Sequence, residues 1–307
     1  MVNFADYLLL NIYADARDWT QNNWRAVREK VSSGKFRFTV WDAEFAMGLG
    51  DDPVTSNNIT NPEELANTGT DFYNAPVELA LLYRRLKAHP EFRLLFADRV
   101  QKHFFNNGAL TKAKISGRFQ ELRQTMAAVI PAMLTYIPDV WVPQREAIVL
   151  QQLANVSLRS TVGAPSFNQS GGNVSAGFVL TMSAAAGTIY YTLDGTDPRL
   201  AFSGNLAPGV RTYSGGISLS QSTVVKARAR NGTVWSALTE AKFLIAALNT
   251  PLRITEVMYN PTGGDTYEFI EIRNLGSTRV DLEGMSVEGI DFVFPFGSTI
   301  DAGSTIV

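Results

Sequence analysis

The chain has no cysteine. Disulfide frameworks, thiolate zinc sites and cysteine nucleophiles are therefore excluded, while the compartment stays open. Histidine is nearly as scarce, with His89 and His103 the only two. A histidine-rich metal site is impossible, and a Ser-His-Asp hydrolase would have just two candidate bases, both in a helical stretch. There is no surplus of charge of either sign: the formal net charge of the 307 residues is −2. That gives no general case for nucleic acid or an anionic membrane as partner. No run of about 20 apolar residues occurs, so no membrane-spanning helix is expected. The first ten residues (MVNFADYLLL) lack the basic start and the small-residue cleavage site of a signal peptide. This start and the closing DAGSTIV at 301–307 both read as the insides of domains.

What is present is apolar material. Hydrophobic residues make up 45% and charged residues 18%, enough for real cores and too little charge for a disordered chain. The charge is distributed unevenly. Residues 1–150 carry 17 basic and 17 acidic side chains, residues 151–250 carry 7 and 3, and residues 251–307 carry 3 and 9. Between Arg159 and Asp194 there is no charge at all. So abrupt a change marks a boundary between different kinds of domain.

The apolar periodicity changes at the same place. Helical spacing is read over 3–14 (Phe4, Tyr7, Leu8, Ile12), over 76–105 with a break at His89-Pro90, over 111–134 (Ile115, Phe119, Leu122, Met126, Val129, Ile130) and over 144–155. Near the start, 24–31 fits a helix or a strand, and KFRFTVWD at 35–42 alternates Phe36, Phe38 and Val40 as a half-buried strand. Residues 48–75 form a long loop in which Asp51-Asp52 reads as a turn. From Pro165 onward short alternating strands with glycine turns predict an antiparallel sandwich: 177–182, 188–193, 217–219, 223–229 and 234–244. After the linker Asn249-Thr250-Pro251, strands at 252–258, 267–273, 278–282, 285–289 and 291–295 begin another. The expected domains are 1–155, 156–247 and 248–307. The expected fold class is multidomain: a mainly α, α+β first part, then two antiparallel β-sandwich modules, the last incomplete.

The segment that carries chemistry runs from Asp15 to Glu44. Asp18 and Asn23 stand as D-x4-N, and Asp42 comes 24 residues after Asp18 at the end of a predicted strand. Phosphoryl transfer from ATP needs a carboxylate to position the attacking hydroxyl and oxygen ligands to hold Mg²⁺ on the phosphates. A loop Asp, an Asn a few residues on and an Asp after a later strand supply those roles in protein kinases. On spacing alone, Asp18 and Asn22 as caps of a turn or helix compete with this reading. Trp19, Trp24 and Trp41 flank the three residues and are expected to pack the loop against its lobe. His103 is expected to be a structural or surface helix residue, not a catalytic base.

The residues DYLLLNIY, DW, NNW and KFRFTVWDAEFAMG resemble the core of the CotH kinase family, over roughly residues 1–155. The resemblance implies a kinase-like large lobe in which Asp18 is the catalytic base, Asn23 a metal ligand and Asp42 the principal Mg²⁺ ligand. Asn22 is the alternative ligand if the loop register differs by one. Glu44 sits where the family often has a second Asp. The cofactor implied is Mg²⁺ or Mn²⁺ with ATP. A kinase also needs a small lobe whose lysine holds the phosphates, upstream of the D-x4-N loop. Only 17 residues precede Asp18, and the first lysine is Lys30, so this chain by itself is expected to transfer no phosphate.

The run TIYYTLDGTDPR at 188–199, with APSF at 164–167, KARAR and WSALTEAKF, resembles the chitobiase/hexosaminidase C-terminal module, a fibronectin-III-like sandwich. There Asp194 and Asp197 are expected to be turn residues, and no glycosidase is implied. Residues 252–307 (ITEVMYNPTGGDTYEFIEIRN and VDLEGM) resemble the lamin-tail domain, with its final strands missing. Glu256, Glu268 and Glu271 are expected to be solvated strand positions. Such company implies a secreted or cell-envelope protein, with a protein substrate not readable from the sequence and surface, carbohydrate or protein partners for the sandwiches. The competing expectation is a noncatalytic surface or adhesion protein with a degenerate kinase lobe. A calcium-dependent matrix module is a third.

Overall fold

The computed structural model describes residues 1–16, 19–20, 23–48, 53–59, 78–129, 135–245, 251–259, 261–283, 285–287, 289–290, 292–295 and 297–307. By contact the chain divides into two units, Met1–Leu244 and Ile245–Val307. No helix among the described residues is long and apolar enough to cross a membrane.

The first unit begins with α1 (Val2–Ala14), whose spaced apolar residues Phe4, Leu8, Leu9 and Ile12 are almost wholly buried. Next come β1 (Trp24–Val27) and β2 (Arg37–Val40), an antiparallel hairpin that pairs Trp24 with Val40 and Val27 with Arg37. Phe38 turns inward against Phe4 (ring centroids 4.7 Å apart) and Tyr7 (5.8 Å). Phe36 shares its parity but precedes the paired residues and is exposed.

Helices α2 (Glu78–Lys87) and α3 (Pro90–Phe104) meet where the sequence predicts a break. Pro90 occupies the first turn, where a missing N–H costs nothing, and His89 Nδ1 accepts the Glu91 N–H at 3.2 Å. Phe92, Phe96, Val100 and Phe104 line the buried face of α3. After α4 (Lys112–Met126), a π-helical turn at Ile137–Trp141 leads into α5 (Val142–Asn155).

The apolar stripe read over 111–134 does not make α4 a core helix. No residue of α4 is fully buried, and Leu122, Met126 and Val129 are exposed. Its N-terminus is fastened by Glu146 accepting the Lys112 N–H at 2.9 Å, and Ile115 packs on the core. Beyond that turn Phe119 is half-buried, and the rest of the described stripe is open. Ile130 lies outside them.

The β part of this unit has strands β3 (Ser166–Phe167), β4 (Gly172–Val174), β5 (Phe178–Leu180), β6 (Met182–Ser183), β7 (Thr188–Thr192), β8 (Arg211–Thr212), β9 (Ile217–Leu219), β10 (Thr223–Asn231), β11 (Val234–Trp235) and β12 (Thr239–Ile245). The main sheet runs β4-β12-β10-β7-β8, with β11 on β10, and β5–β9 and β3–β6 form separate pairs. Phe178 of β5 stacks on Phe243 of β12 at 5.6 Å between centroids, and Leu180, Ile189, Val225 and Ala227 join them inside. The expected strand 234–244 is interrupted at Ser236, whose hydroxyl accepts the Ala229 N–H at 2.8 Å in place of a ladder bond.

Central strand β10 is buried on both faces. Val225, Ala227 and Ala229 face the sandwich core, while Arg228 points the other way and is still only 2% exposed. Helix α3 supplies the cover. Arg228 donates to Asp98 of α3 at 2.7 Å through both terminal nitrogens, to both oxygens of Asp197 at 2.8 and 2.7 Å, and to the Ser236 carbonyl at 2.9 Å. The Leu238 N–H also donates to Asp98, at 2.8 Å. Nearby, the Arg199 guanidinium grips the Glu91 carboxylate with both terminal nitrogens. Asp197 is thus more than the turn residue its sequence context predicts. It accepts the Arg199 N–H at 2.9 Å within its turn and also clamps the buried arginine. Asp194 does behave as a turn residue, accepting from the Thr196 N–H and hydroxyl beside Gly195 at φ 77°.

In the second unit, β13 (Leu252–Met258), β14 (Phe269–Asn274), β15 (Val280–Asp281), β16 (Thr299–Ile300) and β17 (Thr305–Ile306) form two antiparallel sheets, β13-β14-β17 and β15-β16. Asn274 organises this unit. Its buried amide donates to the carbonyls of Thr278, Ile300 and Asp301 and accepts the Gly276 N–H at 2.9 Å. Glu256 and Glu268 are exposed, and Glu271 accepts from the Thr255 hydroxyl. Of the strands read at 285–289 and 291–295, the described residues retain one isolated bridge, Ser286 to Val293.

Candidate functional site

The site is built on the end of α1. The helix stops at Asp15, which adopts a left-handed φ of 51°, and Ala16 N–H bonds back to the Asn11 carbonyl at 3.1 Å. The terminal carbonyls are taken up by one side chain from α5. Arg145, with no solvent exposure, donates to Ile12 at 2.7 Å, Tyr13 at 2.8 Å, and Val54 and Ser56 at 2.7 Å each. Its guanidinium lies 3.7 Å from the buried Asp15 carboxylate and over the ring of Trp141. A single planar donor thereby ties the end of α1 to the segment 54–56. Asn58 adds a bond to the Ala16 carbonyl, and Met47 N–H one to Ala14 at 2.6 Å.

The chain beyond α1 is held by aromatic packing. Trp19 is buried edge-on to Tyr7, with centroids 5.9 Å apart, and the Tyr7 hydroxyl donates to the Trp19 carbonyl at 3.2 Å. Burial pushes the Tyr7 hydroxyl pKa well up, which keeps it a donor. Trp24 packs on the same core. These two tryptophans have the packing role expected of them. Trp41 does not: it is 50% exposed, with the Arg25 guanidinium 3.5 Å above its ring. At the hairpin's open end it faces outward, because the inward parity belongs to Phe38.

Of the residues singled out by spacing, Asp18 and Asn22 lie outside the described residues, as do Asp51 and Asp52. Asn23 and Asp42 are brought together. The Asn23 amide nitrogen donates to the Asp42 backbone carbonyl at 3.0 Å, closing the hairpin just beyond its last pair, Trp24 with Val40. Asp42 itself has φ 53°, a conformation that Asp tolerates and most residues avoid. Its carboxylate and that of Glu44 are exposed.

These are hard oxygen donors, the type Mg²⁺ and Mn²⁺ take, and an open set suits a cation that keeps waters and phosphate oxygens. An amide ligates through its oxygen, and the bond to Asp42 uses the nitrogen. Among the described residues no group of three or more His, Cys, Asp or Glu side chains is placed to hold a metal. The described part of the site offers the exposed carboxylates of Asp42 and Glu44 as oxygen donors and holds no closed protein cage.

His103 is structural, as expected. Its Nε2 lies 3.0 Å from Asp6 Oδ1 and 3.0 Å from Arg99 Nη2, and Arg99 clamps Asp6 at 2.5 and 3.0 Å. This triad joins α3 to α1. Burial works to raise the Asp6 pKa, but the bonds from His103 and Arg99 outweigh it and hold the carboxyl below its usual range. Sequence reasoning missed Arg145 and Asp6 as the groups that set the loop's foundation. A lone arginine in VPQREAIVL carries no signal of four carbonyl partners.

With this geometry in view, three segments match family models in chain order. Residues 1–148 match the CotH kinase protein family, residues 169–239 the chitobiase/beta-hexosaminidase C-terminal domain, and residues 246–307 the lamin tail domain. No curated protein matches the chain.

Proposed function

We propose that residues 1–148 are the metal-binding half of an ATP-dependent protein kinase with a kinase-like large lobe. The observation that carries this is the junction of Asn23 and Asp42 at the mouth of the β1–β2 hairpin, in a segment that matches the CotH kinase protein family. Asp42 is the principal ligand of Mg²⁺ or Mn²⁺, and Asn23 the second, with Asn22 taking its place in the alternative register. Asp18 orients the hydroxyl of the acceptor protein and takes up its proton. Glu44 stands beside the site as an accessory carboxylate. The bound cation's contribution is to neutralise charge on the phosphates. The chain's own contribution is positional: Arg145 fixes the end of α1, Trp19 anchors the segment after it, and the hairpin carries Asp42 to the level of Asn23.

The lysine that clamps the phosphates in kinases has no counterpart before Asp18 in these 307 residues. The chain on its own is expected to bind Mn²⁺ with ATP weakly and to transfer no phosphate. The test is Mn²⁺ titration in the presence of ATP together with radiolabel transfer. Asp42→Asn should weaken Mn²⁺ binding by about tenfold or more. Unchanged Mn²⁺ binding in that variant would refute the metal site, and Asp18-dependent transfer by this chain would refute its inactivity alone.

A second reading rests on the two β modules that follow the first segment. In it the first segment is a degenerate kinase lobe, and the chain is a surface or adhesion protein whose β modules bind protein or carbohydrate partners. Both readings carry the proposal of a secreted or cell-envelope protein, motivated by the company of the two β modules. No response to Mn²⁺ in either the parent chain or Asp42→Asn selects the second reading.

A further inference from the structure

The β1–β2 hairpin carries Arg25, Arg28, Lys30, Lys35 and Arg37, all exposed, within a segment whose one acid between Asn23 and Trp41 is Glu29. Residues 1–150, with the hairpin included, carry 17 basic and 17 acidic side chains, so this is a local positive field, not a property of the domain. None of the five cations forms an ion pair among the described residues. Two of them are held in place by rings instead: Arg25 lies 3.5 Å over Trp41, and Arg28 lies 5.5 Å from the Phe36 centroid. The same element exposes large apolar surface, with Val27 at 62%, Phe36 at 61% and Trp41 at 50%.

The register puts Arg25, Val27 and Arg37 on one face, while Arg28, Lys30, Lys35 and Phe36 lie in the connection beyond the paired residues. Arg25 is opposite Thr39 and Val27 opposite Arg37, while Trp24, Ala26 and Phe38 take the inward parity. Four residue pairs make a strip about 13 Å long. Arginine and aromatic residues are the types enriched in protein interfaces, and a guanidinium laid flat on a ring presents its fork to a planar carboxylate. Solvated lysines and arginines on an ordinary surface lack both the exposed rings and the fixed orientation.

We infer that the outer face of this hairpin is a docking surface for an acidic polypeptide segment that also carries apolar side chains. Charge complementarity names the partner's sign, and the alternation of cation and apolar group along the strip names its pattern. An anionic lipid surface fits less well. Insertion needs an apolar tip, whereas the tip here is Ser32-Ser33-Gly34, with the rings set back along the strands. The inference stands apart from the phosphoryl-transfer reading, since it uses neither Asp18 nor the metal ligands.

The experiment uses the full 307-residue chain, a fluorescein-labelled peptide of repeated Asp-Tyr-Glu-Val as probe, and anisotropy as readout. Binding should weaken as salt rises, because exposed charges are screened. R25E/R37E should weaken it at least about tenfold, with a slower association rate carrying much of the loss. K114E/R123E, which alters exposed cations on α4, should leave it unchanged. If the reversal variant melts early, Trp41→Ala decides the matter, since that ring is already at the surface; about fivefold weaker binding is expected. Affinity for the peptide unaltered by these substitutions overturns the inference. So does binding to phosphatidylserine vesicles by a chain that does not bind the peptide.

Discussion

At the scale of single residues, Arg145 shows how much one buried side chain can decide. It satisfies the carbonyls of Ile12, Tyr13, Val54 and Ser56 at once, from a position with no solvent exposure of its own. Arg145→Met should therefore cost about 3–5 kcal/mol of stability, because it strands buried acceptors and removes the guanidinium beside Asp15. Urea unfolding monitored by circular dichroism measures this. Arg145→Lys should recover only part, since an ammonium cannot serve four carbonyls in one plane. A loss below about 1 kcal/mol for Arg145→Met would mean that the loop is held by other means. Nothing in the sequence announces this role: Arg145 sits in a helix with Gln144 and Glu146 as neighbours and reads as solvated. The partners come from segments roughly 90 to 130 residues away, a distance that local patterns do not reach.

At the scale of elements, the contact of α1 with α3 is electrostatically tuned. Asp6 has its pKa held down in the folded state by His103 and Arg99. A carboxyl whose folded pKa lies below its unfolded value adds stability above the unfolded pKa, and that stability is lost as pH falls through the folded pKa. Glu91, held down first by Arg199, acts in the same direction at the seam between α3 and the sandwich. The melting temperature of the first unit should therefore drop as pH is lowered from neutral through the carboxylate range. Asp6→Asn should be less stable at neutral pH and should show a flatter acid slope. Melts over a pH series read both, and a slope identical to that of the parent would sever Asp6 from the effect. Elements were legible where one cause sets them. The α2–α3 break at Pro90 comes from a missing N–H, and β9 at 217–219 from the apolar–polar alternation of Ile217, Ser218 and Leu219 between glycine and serine turns. The α4 stripe was misleading, because spacing reports that a face is apolar but not that something covers it.

At the scale of the molecule, two segments that match separate family models, 1–148 and 169–239, lie within one contact unit, Met1–Leu244. Arg228 is the reason in physical terms. It sits on the β10 face that alternation assigns to solvent, and Asp98 and Asp197 close over it from two sides. The sandwich is thereby part of the helical domain's foundation, not a tether. One cooperative transition is expected for this unit, and Arg228→Leu should lower it by about 3–5 kcal/mol, since Asp98 would be left buried and unpaired. Scanning calorimetry tests this; a variant with an unshifted transition would show the junction to be dispensable. The sequence disclosed the three modules and their order through composition and turn motifs. It concealed the fusion of the first two, because an ion pair across 130 positions leaves no local trace.

The tryptophans Trp19, Trp24, Trp41, Trp141 and Trp235 all fall in the first unit, and the second has none. Indole emission is therefore a private channel to Met1–Leu244, blind to the remainder. Within that channel Trp41 alone is widely open to water, so a quencher dissolved in the buffer or excitation at the red edge singles out the hairpin from the buried rings. The molecule comes labelled at the one spot where its surface is most unlike the rest.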